Sequence, residues 1–441
     1  SLSGGEAYEG LSNAGEMGTN LIIVVNDNEM SIAENHGGLY QNLKELRDTE
    51  GRSSCNFFRS LGLDYLYVGE GNDIPSLVAA FAKVKDTSRP TVVHIHTQKG
   101  KGYAPAEADR EEFHWEMPFD LETGKPKVDC SGMEDYHSLT GKFLLEKMKE
   151  DHTVVAISSG TPTVIGFTPE RRKQAGRQFV DVGIAEEHAV ALASGIAAGG
   201  GHPVYGVYST FIQRCYDQLS QDLCINGNPA VITVFMGTVA GMNDVTHLGF
   251  FDIPLISNIP NMVYLAPTCS EEYFAMLEWA VRQTEYPVAI RVPGVAVVHR
   301  KEEFDTDYSE LNRYKMTARG ETVAILALGS FYDLGQALKN KLREESGVEA
   351  TLINPRYITG LDEPMLEELK VGHRIVVTLE DGVLDGGFGE KIARYYGNSE
   401  MRVLNYGLRK EFADRYNLDE LMKTNRLTDK QMAEDIAGIL E

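Results

Sequence analysis

The chain has 441 residues, more than one hydrophobic core usually supports, so two or three domains are expected. It carries 65 acidic and 42 basic residues, and its formal net charge of -23 argues against binding to nucleic acid or to an anionic membrane surface. Its cysteines are scattered without a CxxC pair, which argues against a zinc cage or a disulfide framework and favours a reducing cytoplasm. They are Cys55, Cys130, Cys215, Cys224 and Cys269.

The N-terminus gives a separate expectation about the length of the protein. No apolar run reaches membrane-spanning length, and the first residues lack the pattern of a signal peptide. The chain opens with Ser1-Leu2-Ser3 and has no initiating Met. We therefore expect a fragment or a processed product of a longer polypeptide.

Apolar, β-branched runs alternate with amphipathic stretches along the whole chain, a pattern typical of parallel sheets covered by helices. In the first block, residues 1–127, strands are predicted at 21–25 and 91–95 and a helix at 74–84. The second block covers residues 128–300, and the third covers residues 301–441. Their predicted strands are 154–158, 179–182, 204–208, 230–235, 262–266 and 288–292, then 322–328, 350–354, 374–379 and 403–406.

The predicted fold class is therefore α/β, with three domains that each contain a mainly parallel sheet flanked by helices. Ligands of such sheets bind beyond the carboxyl ends of the strands, so motifs at those ends are the ones to examine for chemistry.

The first such motif directly follows the strand predicted at 21–25. Residues 26–32 read Asn-Asp-Asn-Glu-Met-Ser-Ile and offer side-chain and backbone oxygens. Mg²⁺ prefers six oxygen ligands and often shares phosphate oxygens with its protein site. The alternative is a turn rich in Asn and Asp with no ligand at all, and the motif alone leaves both interpretations open.

The second motif is Glu186-Glu187-His188, placed between a predicted strand and a helix rich in small residues. A carboxylate at a helix start is favoured by the helix dipole, and this alone could explain the acidic pair. Alternatively, one carboxyl group is buried against a ligand nitrogen, where burial would favour its protonated form and let it donate a proton.

The third motif runs from Tyr208 to Arg214. Phe211 can stack on a flat heterocycle and Arg214 can pair with an anion, although the motif alone favours a core aromatic beside a surface arginine. Weaker signals are the glycine-containing segments 99–103 and 385–389 and the single histidines His114 and His247.

Taken together and in this order, these segments resemble the 1-deoxy-D-xylulose-5-phosphate synthase family of transketolase-like, thiamine-diphosphate-dependent enzymes. The resemblance covers nearly the whole chain, and its most specific stretches are residues 26–38, 99–113, 181–190 and 208–218. It implies three transketolase-like domains: the C-terminal part of a diphosphate-binding domain, hence an incomplete one, then a pyrimidine-binding domain and a transketolase C-terminal domain.

The resemblance also implies a cofactor and a metal. The family's metal motif is Gly-Asp-Gly followed later by Asn, and Ser1 is expected to follow directly after that Gly-Asp-Gly, so the given sequence starts just after the metal-binding Asp. Asn28 aligns with the motif's Asn, and Met30 is expected to offer its backbone carbonyl to Mg²⁺. Ser1 and Tyr103 are expected beside the thiamine diphosphate.

Catalytic residues follow from the same alignment. Glu186 aligns with the glutamate that faces the aminopyrimidine ring, and Phe211 aligns with the aromatic residue that stacks on it. His114 and His247 align with histidines that handle protons. Glu187 stands where the family commonly has Gln.

For the acceptor phosphate, the resemblance implies contacts from Tyr208, Arg214 and Arg291. Two departures concern this end of the site: Met236 stands where a third arginine is expected, and Asn243 replaces an aspartate. Losing one charge-assisted contact weakens binding by roughly 1.5–3 kcal/mol.

The expected activity is the decarboxylation of pyruvate and transfer of its two-carbon unit to glyceraldehyde 3-phosphate by a cytoplasmic homodimer. The product is a precursor of isoprenoids, thiamine and pyridoxal. Two alternatives remain at this point: a divergent transketolase-like enzyme with another donor or acceptor, and a catalytically silent subunit.

Overall fold

A computed structural model describes residues 2–116, 118–128, 132–294 and 296–440. The chain divides into two compact units. The first contains residues 1–133 together with 158–162 and 181–186, and the second contains the remainder.

The first unit contains a three-stranded parallel sheet in the order β1-β3-β2. Its strands are β1 (Ile22–Asp27), β2 (Asp64–Val68) and β3 (Thr91–His96), and its helices are α1 (Gly5–Met17), α2 (Gly38–Asp48), α3 (Phe57–Ser60), α4 (Ile74–Val84) and α5 (Ala104–Ala108). Neighbouring residues of a strand point to opposite faces of the sheet, and helices cover both of these faces. Val92 packs with Leu43 and Phe58, whereas Val93 packs with Ala80 and Val84.

The first sheet of the second unit has six strands in the order β5-β4-β6-β7-β9-β8. The strands are β4 (Val154–Ser158), β5 (Phe179–Asp181), β6 (His202–Tyr208), β7 (Val231–Phe235), β8 (Val263–Leu265) and β9 (Val288–Arg291). The helices are α6 (Tyr136–Glu150), α7 (Pro169–Ala175), α8 (Glu186–Ala198), α9 (Ser209–Ile212), α10 (Tyr216–Gln218), α11 (Asp252–Ser257) and α12 (Ser270–Arg282).

The other sheet of the second unit has five strands in the order β10-β12-β11-β13-β14, and only β10 runs antiparallel to its neighbour. The strands are β10 (Lys315–Ala318), β11 (Thr322–Ala327), β12 (Thr351–Asn354), β13 (His373–Val383) and β14 (Arg402–Leu408). The helices are α13 (Tyr332–Ser346), α14 (Glu363–Gly372), α15 (Phe388–Tyr396), α16 (Leu418–Thr424) and α17 (Asp429–Leu440). We refer below to residues 134–300 and 301–440 as the second and third domains.

Helix starts in all three domains are fixed by side-chain caps that satisfy free backbone amides. The capping residues are Asn56, Asp73, Asp135, Thr168, Asp362 and Asn417. The second and third domains are also joined by backbone hydrogen bonds, from Ile358 N to Tyr264 O at 2.8 Å and from Ala266 N to Arg356 O at 2.7 Å.

The predicted fold class, with mainly parallel sheets flanked by helices, is confirmed. The predicted helix 74–84 and strand 154–158 coincide with α4 and β4. Strands β2 and β10 were not predicted. The domain borders after residues 127 and 300 stay predictions. Within the described ranges, no helix has both the length and the apolar character needed to cross a membrane.

One close approach in the second domain generates a stability prediction. Gly141 is buried in α6, and a Cβ atom at this position would lie 2.3 Å from the carbonyl oxygen of Gly166. Alanine favours helix by about 1 kcal/mol over glycine, but the clash with backbone outweighs this gain. We expect Gly141→Ala to lower the free energy of unfolding by about 1–3 kcal/mol in chemical denaturation.

Gly438 in α17 provides the matched control, because a Cβ atom there meets nothing within 4 Å. Gly438→Ala should leave the stability unchanged or raise it by up to about 1 kcal/mol. Equal effects of the two substitutions would contradict the close packing of Gly141.

Candidate active site

The Asn28 motif forms a tight turn directly after β1. Asp27 Oδ1 accepts a hydrogen bond from Glu29 N, and Asn28 Oδ1 accepts one from Met30 N, both at 3.1 Å. Glu29 has a φ of 66°, in the left-handed region. The segment thus forms the predicted Asn- and Asp-rich turn. One acceptor position of the Asn28 carboxamide oxygen is occupied by the amide of Met30.

The carboxylate of Asp27 is fully engaged by protein groups and is not free to bind a ligand. It is 4% exposed, accepts from His94 Nε2 at 3.0 Å and forms an ion pair with Arg47. Burial alone would raise the pKa of the Asp27 carboxyl, but the hydrogen bonds with His94 and Arg47 lower it to about 2. This buried network, which the sequence did not indicate, commits the carboxylate of Asp27 to structure.

Several predicted residues line one cavity of about 800 Å³ in the first unit. Asn28, Met30 and His114 lie on its wall together with Lys99. Lys99 Nζ donates to the carbonyl oxygens of Ser31 and Ile32, at 2.9 and 3.0 Å, and so holds the loop after the Asn28 turn. The glycine-containing segment 99–103 therefore begins with a lysine engaged by this loop.

His114 and Tyr103 differ in their surroundings. Burial, followed by the charge of Lys99, lowers the pKa of His114, so its imidazole is neutral at pH 7 and one ring nitrogen can accept a proton. Tyr103 instead packs against Phe113 and Phe119, with ring centroids 5.7 and 5.8 Å apart. Its hydroxyl is buried and finds no hydrogen-bond partner among the described residues.

The ligands for a metal ion near Asn28 are few. A search of the described residues finds no group of three His, Cys, Asp or Glu side chains that could hold a metal. Asn28 and Met30 supply neutral oxygens alone, fewer than the six that Mg²⁺ prefers. A cation at this turn needs further oxygens from a bound phosphate group or from water.

Glu186 occupies the first position of α8 and is 2% exposed. The turn that leads to it is fixed by Asp181, whose Oδ1 accepts from Gly160 N at 2.9 Å and from Gly183 N at 2.8 Å. Gly183 has a φ of 73°, which an L side chain rarely adopts. The chain therefore delivers a buried carboxyl group to a helix N-terminus, and the catalytic role of Glu186 stays a prediction. Ser1 lies outside the described residues.

In the second domain, the structure brings His247 against Phe211, which lies close to Tyr208 in a segment that is distant from His247 in sequence. Phe211 lies in α9, directly after β6, and its ring centroid is 5.6 Å from that of His247 and 5.7 Å from that of Tyr208. Thr246 Oγ1 and His247 Nδ1 are 2.8 Å apart. Burial raises the pKa of Tyr208, so its hydroxyl stays protonated, while Arg214 is exposed to solvent.

Arg291, the last residue of β9, is 4% exposed and is engaged by protein groups. Its Nε donates to Asp252 Oδ2 at 2.7 Å, and its Nη2 donates to Asp252 Oδ1 at 3.2 Å and to the carbonyl of Asp381 at 2.6 Å. Burial opposes its charge, but Asp252 and Asp381 raise its pKa above the ordinary arginine value. A substrate phosphate at this position would have to share the guanidinium with Asp252.

The glycine-rich segment 385–389 surrounds a buried carboxyl group. Glu380 is fully buried and accepts from the amides of Phe388 and Gly389 at 2.7 and 2.8 Å. A Cβ atom on Gly387 would lie 2.4 Å from Glu380 Oε2, so the glycine permits the close approach. Burial raises the pKa of Glu380 to about 7. The segment thus has a packing role in the third domain.

Comparison with known families gives three matches along the chain. Residues 1–56 match the family model described as 1-deoxy-D-xylulose-5-phosphate synthase. Residues 134–297 match the transketolase pyrimidine binding domain, and residues 313–432 match the transketolase C-terminal domain.

Curated relatives extend the similarity to nearly the whole chain. The 1-deoxy-D-xylulose-5-phosphate synthase of Lachnoclostridium phytofermentans is 35% identical over 428 residues, which covers 89% of this chain and 68% of the relative. The synthase of Clostridium tetani is 33% identical, covering 100% of this chain and 76% of the relative.

Solved structures support the fold. A transketolase from Pichia stipitis in complex with sedoheptulose 7-phosphate superimposes with a TM-score of 0.56 at 15% identity, covering 98% of this chain and 74% of that one. A structure titled as a split-gene transketolase, an inactive β4 tetramer, has a TM-score of 0.58 at 20% identity and covers 70% of this chain and 98% of that one.

The buried Arg291–Asp252 pair generates a prediction about stability. Replacing Asp252 by Ala leaves the guanidinium buried without its carboxylate, which costs about 3–5 kcal/mol of folding free energy. We expect a matching fall in the denaturation midpoint of Asp252→Ala. The exposed pair Arg319–Glu368 is the control, since Glu368→Ala should cost at most about 1 kcal/mol. Similar losses in both variants would show that the Arg291 pair is not desolvated.

Proposed function

Since the chain belongs to the 1-deoxy-D-xylulose-5-phosphate synthase family, we propose that it decarboxylates pyruvate and joins the two-carbon unit to glyceraldehyde 3-phosphate. The product is 1-deoxy-D-xylulose 5-phosphate, and the enzyme is a thiamine-diphosphate-dependent transferase. The observation that carries this proposal is the 33–35% identity to synthases along 89–100% of the chain.

Two residues of the described chain have the chemistry that thiamine diphosphate requires. Glu186 offers a buried carboxyl group at a helix N-terminus, and Phe211 offers a partly buried aromatic ring. When bound, the cofactor supplies a nucleophilic carbon that takes up the two-carbon unit. Glu186 would hold a proton at the pyrimidine nitrogen N1′, and Phe211 would stack on the ring and exclude water from one of its faces.

The two histidines are the proposed proton carriers. The lowered pKa of His114 keeps its ring neutral, which suits a proton acceptor. His247 has one ring nitrogen within 2.8 Å of the Thr246 hydroxyl, which limits the orientations of the imidazole. We assign both residues to proton transfer during decarboxylation or ligation, and Tyr103 to packing beside the cofactor.

For the acceptor phosphate, Arg214 and Tyr208 are the proposed first contacts. Arg214 is exposed near the Phe211 helix, and the protonated hydroxyl of Tyr208 can donate a hydrogen bond. Arg291 contributes positive charge but is paired with Asp252, and Met236 supplies none. A weaker phosphate site favours acceptors that bind through other groups. We therefore keep the alternative of a divergent transketolase-like enzyme with another acceptor.

The proposal also includes a bound Mg²⁺ ion, a homodimeric assembly and a cytoplasmic location. Asn28 and the Met30 carbonyl would bind Mg²⁺ together with oxygens of the cofactor diphosphate. A split-gene transketolase of similar fold is titled as a β4 tetramer, and for this chain we propose a homodimer. Among the described residues, Cys55, Cys224 and Cys269 form no disulfide, which is compatible with the proposed reducing cytoplasm.

The assigned proton donor can be tested by substitution. Glu186→Gln keeps the size of the side chain and removes its acid, so turnover of pyruvate plus glyceraldehyde 3-phosphate should fall by about 10²–10⁴-fold. The assay measures carbon dioxide release and ketose formation. Glu187→Gln is the matched control. It introduces the residue that is common in the family at this position, so the variant should retain most of the activity. Unchanged turnover in Glu186→Gln would remove the assignment.

The metal assignment and the silent-subunit alternative are separated by calorimetric titration. The purified chain should bind thiamine diphosphate more tightly with Mg²⁺ than without it, and Asn28→Ala should reduce the Mg²⁺-dependent gain by roughly 10-fold or more. Asn13→Ala, on the exposed face of α1, is the control and should behave as the unmodified chain. Absence of cofactor binding would favour the silent subunit, and sedimentation of the same samples gives the mass of the assembly.

A further inference from the structure

The loop between β7 and α11 carries His247 and is held by the third domain. It begins at Met236, which has a φ of 55°, and residues Val239, Leu248 and Phe250 are buried in the hydrophobic core of the third domain. His247, the proposed proton carrier of the second domain, therefore lies on a loop whose apolar residues pack into the core of the third domain.

Val239 is fixed at both of its backbone polar groups by side chains of the third domain. Its amide donates to Asp381 Oδ1 at 2.7 Å, and its carbonyl accepts from the hydroxyl of Tyr416 at 2.7 Å. Two such side-chain bonds to one residue hold the peptide in place and orient the loop that leads to His247.

Asp381 is itself rigidly held. Its Oδ2 accepts from Ser330 Oγ at 2.6 Å, and its backbone carbonyl accepts from Arg291 at 2.6 Å. The carboxylate is 1% exposed, so water does not compete for its bond to Val239. The anchor is thus part of the buried Arg291 network.

The second half of the loop is bound in the same way. Asn243 Nδ2 donates to the carbonyl of Tyr416 at 3.1 Å, and Asn243 O accepts from Arg415 N at 2.7 Å. Val245 N donates to Asp414 Oδ1 at 3.2 Å. His247 follows two residues later, and its own amide donates to Asp244 O at 2.8 Å.

We propose that Asp381, Tyr416 and Asn243 are positioning residues that let the third domain place His247 for proton transfer by clamping the loop 236–247. The inference deepens the proposed function and rests on it for the role of His247. The residue type at position 243 matters, because the side-chain amide of Asn243 donates to the Tyr416 carbonyl and a carboxylate cannot. An aspartate there would set a carboxylate against a carbonyl oxygen and repel it.

Tyr416→Phe tests the clamp with a single lost hydroxyl. Tyr396→Phe is the matched control: Tyr396 also lies in the third domain and donates to a backbone carbonyl, that of Leu366, at 2.8 Å. We expect kcat to fall by about tenfold in Tyr416→Phe, because a displaced catalytic group loses its near-attack geometry. The affinity for thiamine diphosphate should stay unchanged. Tyr396→Phe should alter stability but change kcat by less than about twofold.

A second readout follows the loop without any turnover. Hydrogen–deuterium exchange of the peptide covering residues 239–247 should be faster in Tyr416→Phe than in the unmodified chain and in Tyr396→Phe. Carbethoxylation of His247 by diethyl pyrocarbonate, followed by mass spectrometry, should accelerate in the same variant. Asn243→Asp should act in the same direction on both measurements.

The outcomes separate this proposal from the proposed function. If the unmodified chain forms no ketose from pyruvate and glyceraldehyde 3-phosphate, the proposed function is wrong. Hydrogen–deuterium exchange and the reactivity of His247 still test the clamp in that case. Wild-type exchange and reactivity in both Tyr416→Phe and Asn243→Asp would overturn the clamp. So would equal kcat losses in Tyr416→Phe and Tyr396→Phe, since the effect would then be general destabilisation.

Discussion

The buried ion pair between Arg291 and Asp252 is the interaction on which the second unit depends most. Arg291 ends β9, Asp252 begins α11, and the same guanidinium reaches the carbonyl of Asp381 in β13. A charged group this deeply buried is tolerated only when its partners are well placed, so the pair constrains the positions of all three elements. Tyr264 adds a further hydrogen bond to Asp252.

From this pair, a chain of polar contacts leads to the candidate catalytic groups. Asp381 links Arg291 to Val239 and Ser330, and Val239 belongs to the loop that carries His247. A second link between the same domains is Glu272, which is buried and accepts from Asn354 at 2.9 Å. Hydrogen bonds from the third domain therefore hold the loop of the second domain that carries His247.

The proposed functional residues illustrate why parallel sheets place such groups at the carboxyl ends of their strands. Asn28 follows β1, Phe211 follows β6, and Met236 follows β7. Glu186 comes after β5, once the turn fixed by Asp181 is complete. At these ends the backbone leaves the sheet, and polar side chains there are not needed for the core. Met236 and Asn243, the two departures from the family pattern, both lie in a loop that follows such a strand end.

Much of this protein was readable from the amino-acid sequence. Strands inside parallel sheets are covered on both faces and read as apolar runs, which explains why 154–158 was placed correctly. Strand β10 reads Lys-Met-Thr-Ala and mixes polar with apolar residues, so local pattern did not reveal it. Strand β2 was missed although only Asp64 among its five residues is charged. The family, and with it the cofactor chemistry, followed from motifs whose order along the chain is specific.

Tertiary structure alone decided which groups pair. Nothing local to Arg291 marks it as the partner of Asp252, 39 residues away in the chain. Likewise, Asp27 meets His94 across 67 residues, and Asn243 meets Tyr416 across 173. Such contacts depend on how sheets and loops pack, because burial removes water and makes the choice of partner energetically decisive. Sequence patterns determine which side chains stand at the strand ends, and packing determines which of them remain available for chemistry.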